Sequence, residues 1–169
     1  QFSDLPSTIL SFAQLCEDNG GRALLVGGCV RDRLLGRTSK DLDVEVYGIE
    51  AEQLVRLLRK LGPVNEVGRS FGVYKLALDK LEIDVSIPRQ DSNSGPGHRG
   101  IQVAGDPTMS VEEASRRRDL TVNALLYDPL THELLDPSGG LDDLNHGILR
   151  PVDETTFLED PLRAVRAVQ

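Results

Sequence analysis

The segment at residues 41–47, with the sequence DLDVEVY, alternates acidic and apolar side chains. Asp41, Asp43 and Glu45 supply the acids, and aliphatic residues lie between them. Successive side chains of a β-strand point to opposite faces of a sheet, so this pattern predicts a strand with carboxylates on one face and a hydrophobic core on the other. Crowding like charges on one face is unfavourable. We therefore expect a positive charge next to this strand.

The composition limits the classes of protein that are compatible with this strand. A chain of 169 residues with 39% hydrophobic and 27% charged residues is typical of a single globular domain. The net charge of −8 argues against a general nucleic-acid-binding surface but allows a small cationic pocket. No apolar run approaches the roughly 18–20 residues of a membrane helix, so no membrane partner is expected. Cys16 and Cys29 lack zinc-site or disulfide spacing, which predicts two buried thiols in a cytoplasmic protein.

Strands and helices alternate in the first half of the chain. Apolar periodicity and glycine positions predict helices at 5–19, 29–36 and 51–61, and strands at 22–28, 41–47, 72–79 and 81–87. The last two strands read as a hairpin. This order predicts an α/β (α+β) domain with a small mixed sheet that is flanked by helices.

The second half has weaker signals. Residues 88–108 are rich in Gly, Pro, Ser and Asp, which predicts a mobile loop. Ser110 and Glu113 form a capping-box pattern, which predicts a helix from about residue 111. The segment 120–128 fits a strand or a helix. Short helices are predicted at 141–147 and from residue 160 onward.

The acidic strand suggests a metal site. Carboxylates at Asp41 and Asp43 can hold one or two Mg²⁺ ions, because Mg²⁺ prefers oxygen ligands and keeps open positions for phosphates. Asp84, on the later strand, can join them only if that strand lies beside 41–47. A calcium-binding EF-hand loop starting at Asp41 is disfavoured, because its invariant glycine position is occupied by Val46.

A glycine pair separates the first strand from the next helix. Gly27 and Gly28 would let backbone amides approach a phosphate closely, and a helix N-terminus favours anions. Arg31 follows within reach of the same oxyanion. A plain tight turn is the alternative interpretation of the glycine pair.

Three separated motifs resemble a known family. The stretch LLVGGCVRDRLLGRTSKDLDVEVYG resembles the head-domain signature of the class II tRNA nucleotidyltransferases and bacterial poly(A) polymerases, with G-G-x-x-R-D followed by D-x-D. RRRDLTVNAL at 116–125 resembles the R-R-D motif of this superfamily, and EDPLRAVRA at 159–167 resembles its E-D-x-x-R block. The resemblance covers residues 22–169. It implies a catalytic head domain at 1–150 and the start of a helical neck domain at 151–169.

The resemblance assigns roles to individual residues. Asp41 and Asp43 match the metal-binding aspartates, and Asp84 falls where the family has a further catalytic carboxylate. The nucleotide-binding positions of the family match Gly27, Gly28, Arg31, Arg118, Asp119, Asp160, Arg163 and Arg166.

One pair among these residues matches the family's reader of the incoming base. Asp160 and Arg163 lie three residues apart, so a helix would place them on one face. A carboxylate and a guanidinium together can accept from one group of a base edge and donate to another. An exposed helical ion pair is the alternative interpretation.

The resemblance implies an enzyme that uses two Mg²⁺ ions to add nucleotides from ATP and CTP to RNA 3′ ends and releases pyrophosphate. CCA addition to tRNA is the implied reaction, while CC-only, A-only and poly(A) addition stay open. A non-catalytic nucleotide-binding module is the alternative. Most of the contacts with RNA are expected to come from regions beyond residue 169.

Overall fold

The computed structural model describes residues 2–38, 41–66, 72–78, 81–89 and 105–159. The helices of this part are α1 (Ser7–Glu17), α2 (Gly28–Leu34), α3 (Ala51–Leu58), α4 (Val111–Ser115), α5 (Gly140–His146) and α6 (Glu154–Glu159). A 3-10 turn covers Thr121–Asn123. The strands are β1 (Arg22–Val26), β2 (Asp41–Tyr47), β3 (Val64–Asn65), β4 (Val73–Leu78), β5 (Leu81–Ser86), β6 (Leu126–Tyr127) and β7 (Leu134–Leu135).

All these strands form one mixed sheet, in the order β3-β4-β5-β2-β1-β6-β7. The β2–β5 pair is parallel, and the other neighbouring pairs are antiparallel. The mixed α/β fold class and the hairpin of β4 and β5 confirm the predictions from the sequence. The hairpin follows from alternating apolar and polar residues on both arms.

The two faces of the sheet differ in how they are covered. Leu42, Val44 and Val46 of β2 are all buried, in a large core that includes residues of α1 and α3. A smaller apolar cluster on the opposite face joins β1 and Tyr47 to Met109 and to Ala114 of α4. This cluster covers only part of the second face, and the acidic residues of β2 lie beside it.

The structure differs from the predictions where the signals were short. The segment 120–128, which fitted a strand or a helix, contains the 3-10 turn and then β6. β3 and β7 have two residues each, too few to show an alternating pattern. α6 was not predicted, and the carboxylate of Asp153 accepts a hydrogen bond from the backbone N–H of Thr155 at its start (2.8 Å). The helix predicted from residue 160 onward lies outside the described residues.

The remaining predictions about the chain concern membranes and thiols. Among the described residues, no helix is both long and apolar enough to cross a membrane. Cys16 and Cys29 are free and buried, as predicted. Burial raises the pKa of the Cys16 thiol to about 12, so this group stays protonated.

Close packing of α5 fixes the 3-10 turn. The Asp136 carboxylate accepts hydrogen bonds from the N–H groups of Gly140 and Leu141 at the start of α5 (2.7 and 3.0 Å). A β-carbon at Gly140 would lie 2.1 Å from the carbonyl oxygen of Thr121, so only glycine allows this approach. The Thr121 hydroxyl in turn donates to Asp143 (2.7 Å). These contacts hold Asn123, at the end of the turn, in a fixed position.

Replacing Gly140 by alanine is therefore expected to destabilise the fold. The added methyl must displace backbone, and such overpacking costs about 3 kcal/mol. Gly147→Ala is the matched control, because Gly147 ends the same helix with a φ of +65° and has no neighbour within 4 Å of an added β-carbon. The control is expected to cost about 1 kcal/mol, for the left-handed backbone alone. Urea unfolding measures both values, and a Gly140→Ala variant no less stable than the control would contradict the packing described.

Candidate active site

The parallel pairing of β2 and β5 builds an acidic site. The register places Asp43 opposite Asp84 and Asp41 opposite Glu82. Residues opposite each other in neighbouring strands point to the same face of the sheet. The strand that carries Asp84 therefore lies beside 41–47, as a site shared by Asp84 and Asp43 requires. Asp41 lies at the exposed start of β2, whereas Asp43 is partly buried.

The like charges of this site have a measurable consequence for Asp43. Burial, the carboxylate of Asp84 and that of Asp41 together raise the pKa of Asp43 above its ordinary value, against the opposing effect of Arg118. Lys75, opposite Asp84 on β4, supplies part of the missing positive charge. Its Nζ lies 2.5 Å from Glu82 Oε1 and 3.0 Å from Asp84 Oδ1.

The donor set fits a divalent cation that also binds a phosphate. Oδ1 of Asp84 is buried and, apart from its ion pair with Lys75 Nζ (3.0 Å), meets no hydrogen-bond donor in the described part of the chain. This oxygen faces the carboxylate of Asp43, whose ionised form is disfavoured. A bound cation would interact favourably with both groups. No group of three or more His, Cys, Asp or Glu side chains in the described ranges is arranged to hold a metal ion alone. Mg²⁺ sites, however, usually need one or two carboxylates and take further ligands from water and substrate phosphates.

The glycine turn lies directly beside these carboxylates. Gly27 has a φ of +74° and a ψ of −145°, a conformation that is open to glycine and strained for other residues. A β-carbon at this position would lie 3.7 Å from Arg118 Nη1 and 3.9 Å from Asp43 Oδ2. Gly28 then begins α2. The N-terminus of α2 therefore opens next to both the acidic pair and an arginine.

Arg31 lies on the other side of the turn. Its Nη1 donates a hydrogen bond to Asn123 Oδ1 (2.7 Å), and its Nε and Nη2 contact Asp32 (2.9 and 2.8 Å). A β-carbon at Gly28 would be 3.4 Å from Arg31 Nη2. The guanidinium is thus held against the first residues of α2 by Asn123, which belongs to the RRRDLTVNAL motif.

Arg118 is held by a residue whose role the sequence did not reveal. Its Nη2 lies 3.3 Å from Glu45 Oε1, and the same oxygen accepts a hydrogen bond from the Tyr47 hydroxyl (2.5 Å). The alternation in β2 correctly placed Glu45 on the acidic face. The structure shows that this carboxylate binds an arginine, and nothing in the local sequence signals a partner 73 residues away.

Some of these groups line a cavity of about 500 Å³ between the sheet and α4. The polar and charged residues that line it are Asp43, Glu45, Asp84, Ser86, Arg89, Arg117 and Arg118. Arg117 also donates from Nη1 to the carbonyl oxygen of Arg89. The cavity therefore has carboxylates on the sheet side and guanidinium groups on the other, an arrangement that suits a metal-bound polyphosphate.

Several residues lie apart from these groups or outside the described ranges. Arg33, which is near Arg31 in sequence and for which no role was predicted, pairs with Asp4 (2.5 Å). Asp119 is half-buried, its carbonyl oxygen accepts from the N–H of Val152 (3.1 Å), and its expected role in positioning Arg118 stays a prediction. The predicted base-reading pair, Asp160 and Arg163, lies outside the described residues, as do the predicted nucleotide-binding residue Arg166 and most of the expected loop, at 90–104.

Comparison with known proteins identifies relatives of this chain. Residues 23–150 match the model of a family described as the Poly A polymerase head domain. The Multifunctional CCA protein of Xylella fastidiosa (strain 9a5c) is 38% identical over 148 residues, which are 88% of this chain and 34% of that protein. The Multifunctional CCA protein of Stenotrophomonas maltophilia (strain R551-3) is 40% identical over 145 residues, 86% of this chain and 34% of that protein.

Solved structures give the same result. The Bacillus stearothermophilus CCA-adding enzyme in complex with CTP superposes with a TM-score of 0.77 at 30% identity, covering 96% of this chain and 38% of that one. A tRNA nucleotidyltransferase complexed with a primer tRNA and an incoming ATP analog gives a TM-score of 0.75 at 33% identity, covering 93% and 43%. The chain spans about a third of the length of the curated relatives it matches.

The repulsion between Asp43 and Asp84 leads to a test that does not depend on activity. Without divalent cations at pH 7, Asp43→Asn is expected to raise the midpoint temperature of unfolding, because burial and like charges disfavour the ionised carboxylate. Adding Mg²⁺ or Mn²⁺ is expected to stabilise the wild type and to leave the variant nearly unchanged.

Differential scanning calorimetry with and without the cation measures both effects. Asp142→Asn, at an exposed carboxylate on α5, serves as the control that must respond like the wild type. If the Asp43→Asn variant gained as much stability from the cation as the control did, Asp43 would not be a ligand.

Proposed function

Because this chain belongs to the Poly A polymerase head-domain family, we propose that it is the catalytic head of a template-independent nucleotidyltransferase. The proposed reaction adds nucleotides from ATP and CTP to the 3′ end of RNA and releases pyrophosphate. The proposed product is the CCA end of tRNA, as the names of the relatives suggest. The single observation that carries the proposal is that the facing pair Asp43–Asp84 lies beside the Gly27 turn, with Arg118 close to the pair and to the turn.

The proposed roles of the residues follow from their positions. The backbone at Gly27 and Gly28 approaches the phosphates, since a helix N-terminus attracts anions. Arg31 and Arg118, on either side of that turn, offset the negative charge of the triphosphate. The RNA 3′ hydroxyl attacks the α-phosphorus in this cavity, its proton passes to solvent water, and the bond from the α-phosphorus to the pyrophosphate oxygen breaks.

Nucleotidyltransferases of this family depend in general on divalent metal ions. We propose Mg²⁺ for this chain, in a two-metal site held by Asp41 and Asp43, with Asp84 as a third carboxylate. Bound there, the cations would lower the pKa of the attacking hydroxyl and stabilise the leaving pyrophosphate. The carboxylates of Asp43 and Asp84 would bind and orient them from one face of the sheet.

The proposed roles of the head, the neck and the regions beyond residue 169 rest on charge and on chain length. Residues 1–150 would form the catalytic head, and 151–169 the start of a helical neck. A chain with a net charge of −8 is poorly suited to hold RNA by itself. We therefore propose that most contacts with tRNA come from regions beyond residue 169. The base-reading role of Asp160 and Arg163 and the cytoplasmic location both stay predictions.

Poly(A) addition is the second candidate, and the description of the matching family favours it. The two activities use the same head chemistry and differ in the product. Incubating the full-length protein with a tRNA that lacks its CCA end and with ATP and CTP distinguishes them. CCA addition stops after three nucleotides, whereas poly(A) addition extends with ATP alone. A protein that binds nucleotide but releases no pyrophosphate would be the non-catalytic module.

Asp41→Ala and Asp43→Ala are each expected to lower the rate of nucleotide addition by the full-length protein more than tenfold. Both carboxylates are proposed metal ligands, and their removal leaves the apolar face of β2 intact. Primer extension with Mg²⁺ under single-turnover conditions measures the rate, and Asp142→Ala is the control for loss of an exposed carboxylate. A variant that kept more than about a tenth of the wild-type rate would have lost less than about 1.4 kcal/mol of transition-state stabilisation, which contradicts the metal assignment.

A further inference from the structure

We propose that Tyr47 and Glu45 are positioning residues that fix the guanidinium of Arg118 for the triphosphate. The inference rests on the proposed function only in naming the triphosphate as the ligand of Arg118. The three side chains form a chain of contacts that ends at the cavity, from the Tyr47 hydroxyl to Glu45 Oε1 (2.5 Å) and from Oε1 to Arg118 Nη2 (3.3 Å). Neither Tyr47 nor Glu45 was expected to act on nucleotide.

Arg118 needs such a support because its own segment provides little. It follows the end of α4, where its backbone N–H donates to the Ser115 carbonyl oxygen (3.1 Å). Its Nε is buried and meets no hydrogen-bond acceptor among the described residues. The contact with Glu45 therefore orients the guanidinium plane, whose Nη1 faces Gly27.

Glu45 is itself held in place and can therefore fix the position of the Arg118 guanidinium. Its side chain is only 12% exposed, and it lies on a central strand, with Leu24 of β1 opposite it. A carboxylate that is held by two donors loses little further freedom when the arginine binds a ligand. Pre-ordering of this kind lowers the entropic cost of ligand binding.

Tyr47 links the same carboxylate to the packing of α4. Tyr47 is 7% exposed and belongs to the apolar cluster with Met109 and Ala114. Burial and the nearby Glu45 carboxylate raise the pKa of the Tyr47 hydroxyl, so the hydroxyl keeps its proton and donates. One side chain thus supports the helix that precedes Arg118 and the carboxylate that holds Arg118.

The test separates orientation from charge. Tyr47→Phe keeps the ring and the net charge and removes only the hydroxyl donor. Glu45→Asp keeps the charge and withdraws the carboxylate by one methylene. Glu45→Gln is avoided, because it would also free a positive charge for the phosphates. Tyr127→Phe is the matched control, since it removes a hydroxyl that bonds to His132 on the other face of the sheet (2.9 Å).

In the full-length protein, Tyr47→Phe is expected to raise KM and the calorimetric Kd about fivefold, for ATP and CTP alike, as loss of one ordinary hydrogen bond would. The value of kcat is expected to change less than twofold, since Arg118 would bind the triphosphate in both ground and transition states. Glu45→Asp is expected to have the same signature. Tyr127→Phe should leave Kd at the wild-type value.

A double-mutant cycle decides between positioning and simple packing. In an Arg118→Ala background, Tyr47→Phe is expected to have no further effect on the Kd for ATP, because the hydroxyl acts through the arginine. If the two effects were additive, or if Tyr47→Phe and Glu45→Asp both left Kd unchanged, the proposal would be wrong. Wild-type protein that binds ATP with this coupling but extends no primer would instead refute the proposed function while keeping the inference.

Discussion

The parallel pairing of β2 with β5 is the constraint on which the site depends. It places Asp43 opposite Asp84, so two carboxylates share one face, while the apolar residues that alternate with them along each strand are buried in the core. The fold thus keeps an electrostatically unfavourable pair in place by burying the other side of the same strands. Relief of that repulsion would contribute to the free energy of binding a cation. The ammonium group of Lys75 pairs with Asp84 and offsets only part of the repulsion between the two carboxylates.

The positive groups of the site are each held by a separate polar partner. Arg31 is held by Asn123, which sits at the end of a 3-10 turn fixed by the close approach of Gly140 to Thr121. Arg118 is held by Glu45. Both guanidinium groups are therefore set in position by contacts between segments that are far apart in sequence, and both flank the Gly27 turn. An acidic protein in this way builds a local cationic surface for phosphates, next to the carboxylates that would bind the metal.

Local patterns predicted most of the longer elements, and the family resemblance named the residues of the candidate site. The alternation in β2 showed which face carries Asp43, and the glycine pair marked the turn before α2. Parallel neighbours, however, are chosen by crossover connections and core packing, so periodicity alone left the position of Asp84 conditional. The ion pair between Glu45 and Arg118 joins residues 73 positions apart, and no local signal encodes it. β3 and β7 are too short for any period to be seen.

The position of a bound cation tests the central claim most directly. Crystals of the full-length protein grown with Mn²⁺ and a non-hydrolysable ATP analogue would show the metal by anomalous scattering. We predict a peak within coordination distance of carboxylate oxygens of Asp43, on the face shared with Asp84, with the triphosphate against the Gly27 turn. A triphosphate bound away from that turn, with manganese only at remote carboxylates such as Asp142, would contradict the account.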